Sequence, residues 1–260
     1  MADYVLIRKS RNVLSTILYI VLNILLGVGS IVITTITGSF IPGFLLVLVS
    51  KWRVFAVRPR YWLINIKSSL VDLIVGSSFI LIAYCSGTTF LPVHYILAAI
   101  YTLWLIVLKP RSSDKALAAQ SLTAVFFGTT AAVLLTATYD SIFLVLATAF
   151  IGWAATRHVL VQSDDNNFQL VTYSCGLICA EIAWIFHSWL KVYSFGDTGI
   201  VIPQLSIILT VFAFAFASIY RSLIKNDGEL KKSEILAPTT FSILIIITMI
   251  VFFSDPKFHL

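Results

Sequence analysis

The chain has 260 residues, 59% of them hydrophobic and only 12% charged, with a mean hydropathy of +0.96. Soluble domains carry about 25% charged residues, so a water-soluble fold is excluded and lipid must cover part of the apolar surface. The net charge of +6 does not point to nucleic acid, because the cations sit at the ends of apolar runs, where they orient a chain in a membrane.

Residues 1–11 are short and basic, with Arg8, Lys9 and Arg11. The apolar run from Asn12 to Ser50 is too long for one span of ~20 residues and just short of two. Gly38, Pro42 and Gly43 can break it. It reads as two short helices or as a re-entrant hairpin, and the charged start with Gly27-Val28-Gly29 also has the pattern of a signal peptide. Each reading leaves Lys51 on the cytoplasmic side.

The next stretch, KWRVFAVRPRYWLINIK at 51–67, is basic and aromatic at once. Lys51, Arg53, Arg58, Arg60 and Lys67 alternate with Trp52, Tyr61 and Trp62, and no acid interrupts them. Indole and phenol rings settle in a headgroup layer, where cations meet anionic lipid. Lys51, Trp52, Arg53, Arg58, Arg60, Tyr61, Trp62 and Lys67 are therefore the expected headgroup-binding residues.

Later apolar runs cover about 69–86, 92–108, 116–137, 140–156, 169–190, 200–222 and 236–253. Ser69 with Asp72, and Asn166 with Gln169, have the spacing of capping boxes. Pro92 and Pro238 sit near helix starts. With the N-terminus inside and strict alternation, the inner connections hold every lysine and arginine of the eighteen except Lys191 and Lys257, as the positive-inside rule requires. Tyr84, Tyr95, Tyr139, Trp189 and Tyr193 then mark outer ends, and Trp52, Trp62 and Tyr220 inner ones. The expected fold is all-α: a polytopic transmembrane bundle of about nine spans, N-terminus in and C-terminus out, or seven if the first hairpin is re-entrant. Residues 1–260 form one integral membrane domain, divided into a hairpin (1–50), the interfacial segment (51–67) and a bundle (68–260).

Candidate chemistry is sparse. Glu181 lies ~18 Å along its helix from Gln169, beyond the middle of a ~30 Å core. A carboxylate there is a proton or cation site, or a neutral hydrogen-bonded contact between helices. Cys175 and Cys179 share a helical face, with Glu181 and His187 further along; packing explains them better than a metal. Asp72 is expected to serve its capping box. His94, His158 and His187 form no common ligand set. Gly76-Ser77-Ser78 has no evident partner for serine chemistry, and Asp164-Asp165-Asn166-Asn167 is one acidic candidate where prenyl-transfer chemistry needs two. No catalytic residue, metal or cofactor is assigned.

KWRVFAVRPRYW, with LKPRSSDKALAAQSLTAVF at 108–126 and RHVLVQS at 157–163, resembles a family of uncharacterised multi-pass membrane proteins from Saccharibacteria and related candidate-phylum bacteria. The resemblance implies a bacterial cytoplasmic membrane and supplies no activity. The leading expectation is transport or permeation of a small solute or ion, carried by Glu181. Its rivals are a non-catalytic membrane scaffold or lipid-binding subunit and a membrane-embedded lipid-modifying enzyme. Expected partners are the bilayer and anionic headgroups, with room for a homo-oligomer or a membrane partner. A polar cavity at Glu181 would favour transport, and a dry pairing with another helix would favour a scaffold.

Overall fold

The computed structural model describes residues 2–52, 56, 58–137, 140–161, 167–189, 191–226 and 229–253, with side chains from Leu14 onward. Arg53, Tyr139 and Asp164–Asn166 lie outside the described residues, and with them one headgroup residue, one aromatic marker and the acidic candidate.

Helix α1 runs Ala2–Thr37 and α2 Phe40–Ser50. Gly38, at φ 59°, turns the chain between them, and Ser39 caps α2 by accepting from the Ile41 N–H. The expected pair of short helices is thus one long helix and one short one. At 11 residues α2 spans only about 16 Å. It lies close against α1 because Gly43 has no side chain: a Cβ there would collide with the Thr34 hydroxyl.

A 3-10 turn at Pro59–Tyr61 leads into α3 (Trp62–Ser68), and α4 follows at Leu70–Cys85. The axis bends by 64° between α3 and α4. Helix α5 (Pro92–Leu103) starts on proline and ends in a π turn, Trp104–Leu108. Helices α6 (Asp114–Thr136), α7 (Ser141–Leu160) and α8 (Phe168–His187) pack in sequence order. A two-stranded antiparallel hairpin, β1 (Val192–Ser194) with β2 (Val201–Pro203), pairs Tyr193 with Ile202. Gly196 and Gly199, both at positive φ, make its turn. Helices α9 (Gln204–Lys225) and α10 (Lys232–Phe252) complete the described chain. Pro238, expected near a helix start, sits inside α10.

Among the described residues six helices are long and apolar enough to cross a membrane: Leu14–Thr37 of α1, and α6 to α10. α4 reaches that length only together with α3, and α2 and Pro92–Leu108 are apolar but shorter. The all-α membrane fold expected from composition is therefore present. Helices α1, α2, α4 and α5 form one cluster and α6 to α10 another, joined where α4 meets α6. There the Phe79 and Phe127 rings meet at 4.5 Å, tilted by 36°, and Gly128 lets Ile74 and Ile151 close in. α10 touches little except α9 and exposes Phe241, Leu244 and Ile247 outward. Such an all-round apolar helix suits hydrocarbon as its solvent.

Candidate functional site

One end of the bundle gathers the charge. Lys51, at the C-terminus of α2, and Lys109, just after the π turn, both reach the same Asp72 carboxylate oxygen in the first turn of α4, Lys109 at 3.3 Å. The expected capping box is not formed: Ser69 makes no side-chain cap, and Asp72 serves tertiary cations instead. Burial and the neighbouring Lys109 bring the Lys51 amine down to about 6. Burial also lowers Lys109. Two amines thus compete for one carboxylate, and the less solvated one gives up its proton first.

The π turn frees backbone carbonyls for side chains from other helices. Leu105 O accepts from the Tyr19 hydroxyl at 3.0 Å, and Leu108 O accepts from Gln120 Nε2 at 2.7 Å. Gln120 also donates to Arg111 O, and its Oε1 accepts from His158 Nε2 at 2.8 Å. Arg157 donates to Lys67 O at 2.9 Å, fixing the end of α3. These bonds bring Lys51, the end of α3, Lys109, Arg111 and the end of α7 to one end of the molecule.

Around this network the basic-aromatic segment lies open. Arg58, Arg60, Tyr61, Trp62 and Lys67 are exposed, with Trp52 62%, Leu63 70% and Ile64 63% accessible. The Arg60 guanidinium stacks 4.6 Å from the Tyr61 ring. Lys51 differs from its companions, because its ammonium turns inward onto Asp72. The result is a short helix at 64° to the following span that presents cations, aromatic rings and aliphatic side chains together.

From the same end a cavity of about 390 Å³ runs between α6, α7, α8 and α9, inside the usual size range of ligand pockets. It forms because α9 packs on α6 and α10 yet scarcely touches α7 and α8. Asp114, Arg221 and Lys225 stand at its rim, and Val125, Gly152, Cys175, Cys179, Ala213 and Phe216 line its depth. On the wall Ser121 donates to Ala155 O at 2.9 Å, and the depth is mostly apolar. At the rim Lys225 pairs with Glu234 at 2.6 Å, and Glu234 also accepts from Ser222 and Asn226. Tyr220, expected as an interfacial marker, is buried against this pocket and stacks on Phe216.

Glu181 does not face this cavity. Its side chain is exposed on the outer surface of α8, between Leu177 and Trp184. Cys175 and Cys179 point the other way, onto α7, where a Cβ at Gly152 would meet Cys179 Sγ at 2.6 Å. Glu181 therefore does not share the cysteine face, and among the described residues it pairs with no other helix. Among the described residues no group of three or more His, Cys, Asp and Glu side chains could hold a metal. Ser77 and Ser78 donate to carbonyls of their own helix. Sequence reasoning missed the pocket and the hairpin. The hairpin had a signal in Val192-Tyr-Ser and Val201-Ile-Pro around Gly196 and Gly199.

No protein-family model, no curated protein and no solved structure matches the chain.

Proposed function

We propose that this is a lipid-engaging membrane scaffold whose basic-aromatic segment docks on anionic headgroups. The observation that carries the reading is α3: a short helix bent 64° from the next span, with Arg58, Arg60, Tyr61, Trp62 and Lys67 open to the surroundings. A helix lying across the span axis places its aliphatic side in the acyl boundary and its cations among phosphates. In this reading the nine apolar passes, including short α2 and α5, alternate through a bacterial cytoplasmic membrane with the charged end inside. The family resemblance and the positive-inside count support that orientation.

Transport has less support. It rests on Glu181 lining a polar cavity, and Glu181 is exposed on the outer surface of α8, away from the mostly apolar cavity between α6 and α9.

The test is lipid retention. Arg53, Arg58 and Arg60 changed together to Gln remove three cations, each worth about 1 kcal/mol of attraction to an anionic surface. Phosphatidylglycerol co-purifying with the triple variant should fall, and should respond less to salt than in wild type. Unchanged retention at both low and high salt would reject the reading.

A further inference from the structure

We propose that the α6–α9 cavity is a binding site for one acyl chain of an ethanolamine phospholipid, with the phosphate on Arg221 and the ammonium on Asp114. The proposal rests on the reading that the protein engages lipid from its charged end, and it assigns a second, structurally separate lipid site there.

Depth is the first argument. Asp114 stands at the rim and Val125 near the floor, 11 residues along α6, or about 16 Å. On α9 the wall extends from Lys225 to Ala213, about 18 Å. A bilayer core of ~30 Å gives each leaflet about 15 Å of hydrocarbon, so the cavity accommodates chains from one leaflet and stops near the midplane. A conduit for a solute would need a polar wall and a second opening. Below the rim this wall is mostly aliphatic and aromatic, with its Ser121 hydroxyl turned to a backbone carbonyl.

The route in is the second argument. α9 holds to α6 and α10 but hardly to α7 and α8, so the pocket is a cleft flanked by helices that face lipid. A chain can slide in sideways while its headgroup stays at the interface.

The rim supplies the third. Lys225 is already neutralised by Glu234. That leaves Arg221 and Asp114, neither of which forms an ion pair among the described residues. One cation and one anion on the same rim complement a headgroup that carries both signs. Arg221 can hold a phosphate through two parallel N–H donors. A primary ammonium donates hydrogen bonds to a carboxylate, whereas a trimethylated one cannot. Ethanolamine therefore offers Asp114 both a positive charge and N–H donors, choline a charge without donors, and glycerol hydroxyl donors without a charge.

Cys175 and Cys179 line the depth of the cavity and report its occupancy. In a Cys85→Ser background, the rate of N-ethylmaleimide labelling is followed by mass spectrometry of the full chain in neutral detergent. Dioleoyl phosphatidylethanolamine, phosphatidylcholine, phosphatidylglycerol or oleate is then added. Phosphatidylethanolamine should protect both thiols at the lowest concentration. Arg221→Gln should raise the concentration required about fivefold, the factor that corresponds to one interfacial cation, and Asp114→Asn should erase the preference for ethanolamine over choline. Both residues stand at the rim, outside the packed core, so the variants keep the fold. Ala217→Phe, which fills the cavity, should slow labelling without lipid.

Equal protection by all three phospholipids, or better protection by phosphatidylglycerol, would overturn the headgroup assignment. Protection by oleate as strong as by phospholipid would overturn the phospholipid assignment. No protection by any lipid would overturn the site. The Arg53/Arg58/Arg60 variant separates the two readings. If it loses surface lipid but keeps thiol protection, the cavity stands alone; if protection is absent while surface retention persists, only the cavity falls.

Discussion

Replacing Asp72 by Asn should destabilise the protein, and by an amount the geometry bounds. Asp72 lies between the ends of α2 and α5 and holds Lys51 and Lys109 on one oxygen. Breaking a fully buried pair costs about 3–5 kcal/mol, and an exposed pair contributes about 0–1 kcal/mol. The three side chains are 20%, 12% and 29% accessible, so the expected loss lies between these limits, about 2 kcal/mol. The sign of the pH dependence follows from Lys51. Its folded pKa, about 6, lies below the ordinary lysine value of 10.5. Between those values the unfolded chain binds more protons than the native one, so stability should rise with pH from about 6 to 10.5. Lys51→Met removes the surplus amine, leaves Asp72 and Lys109 paired one to one, and should reduce that rise to the part that Lys109 contributes. Thermal unfolding in neutral detergent, stepped across this pH range, reads all three proteins. If Asp72→Asn melts with wild type at pH 7 and Lys51→Met leaves the slope unchanged, the cluster does not join these helix ends and the reasoning fails.

Three further outcomes follow from other contacts. Gly152→Ala pushes a methyl into Cys179 Sγ at 2.6 Å and its Cβ at 2.9 Å, so it should cost about 1–3 kcal/mol; thermal melting should show Cys179→Ala recovering part of the loss. Arg157→Gln removes the 2.9 Å bond to Lys67 O and should quicken proteolysis at Lys67 while moving the midpoint little, since one such bond is worth about 1 kcal/mol. Glu181→Leu should leave stability within about 0.5 kcal/mol of wild type, because the side chain is exposed and partnerless among the described residues; a marked loss on melting would expose a contact absent from this account.

Helical class and the grouping of charged ends were legible because each depends on a one-dimensional property. Composition decides whether lipid is the solvent, and which connections carry the charge follows from where cations fall between apolar runs. The facing of a side chain depends on more. Glu181 is two residues beyond Cys179, and at 3.6 residues per turn it points about 200° away, so the period alone separates it from the cysteine face. What the period cannot tell is which of the two faces is inside. In water, polarity marks the outward side; in lipid both the core and the outer surface are apolar, and that marker is lost. Gly152 and Gly176 identify the inward face instead, since helices approach where side chains are absent. Asp72 failed for the opposite reason. Its local spacing from Ser69 was right for a cap, but Lys51 and Lys109 arrive from 21 and 37 residues away and bind the carboxylate more strongly than one backbone N–H would. The pocket has no sequence signal at all, because it is a gap created by how α9 diverges from α7 and α8. Its two rim charges, Asp114 and Arg221, are separated by more than a hundred residues, and only the folded bundle sets them at the mouth of one cavity.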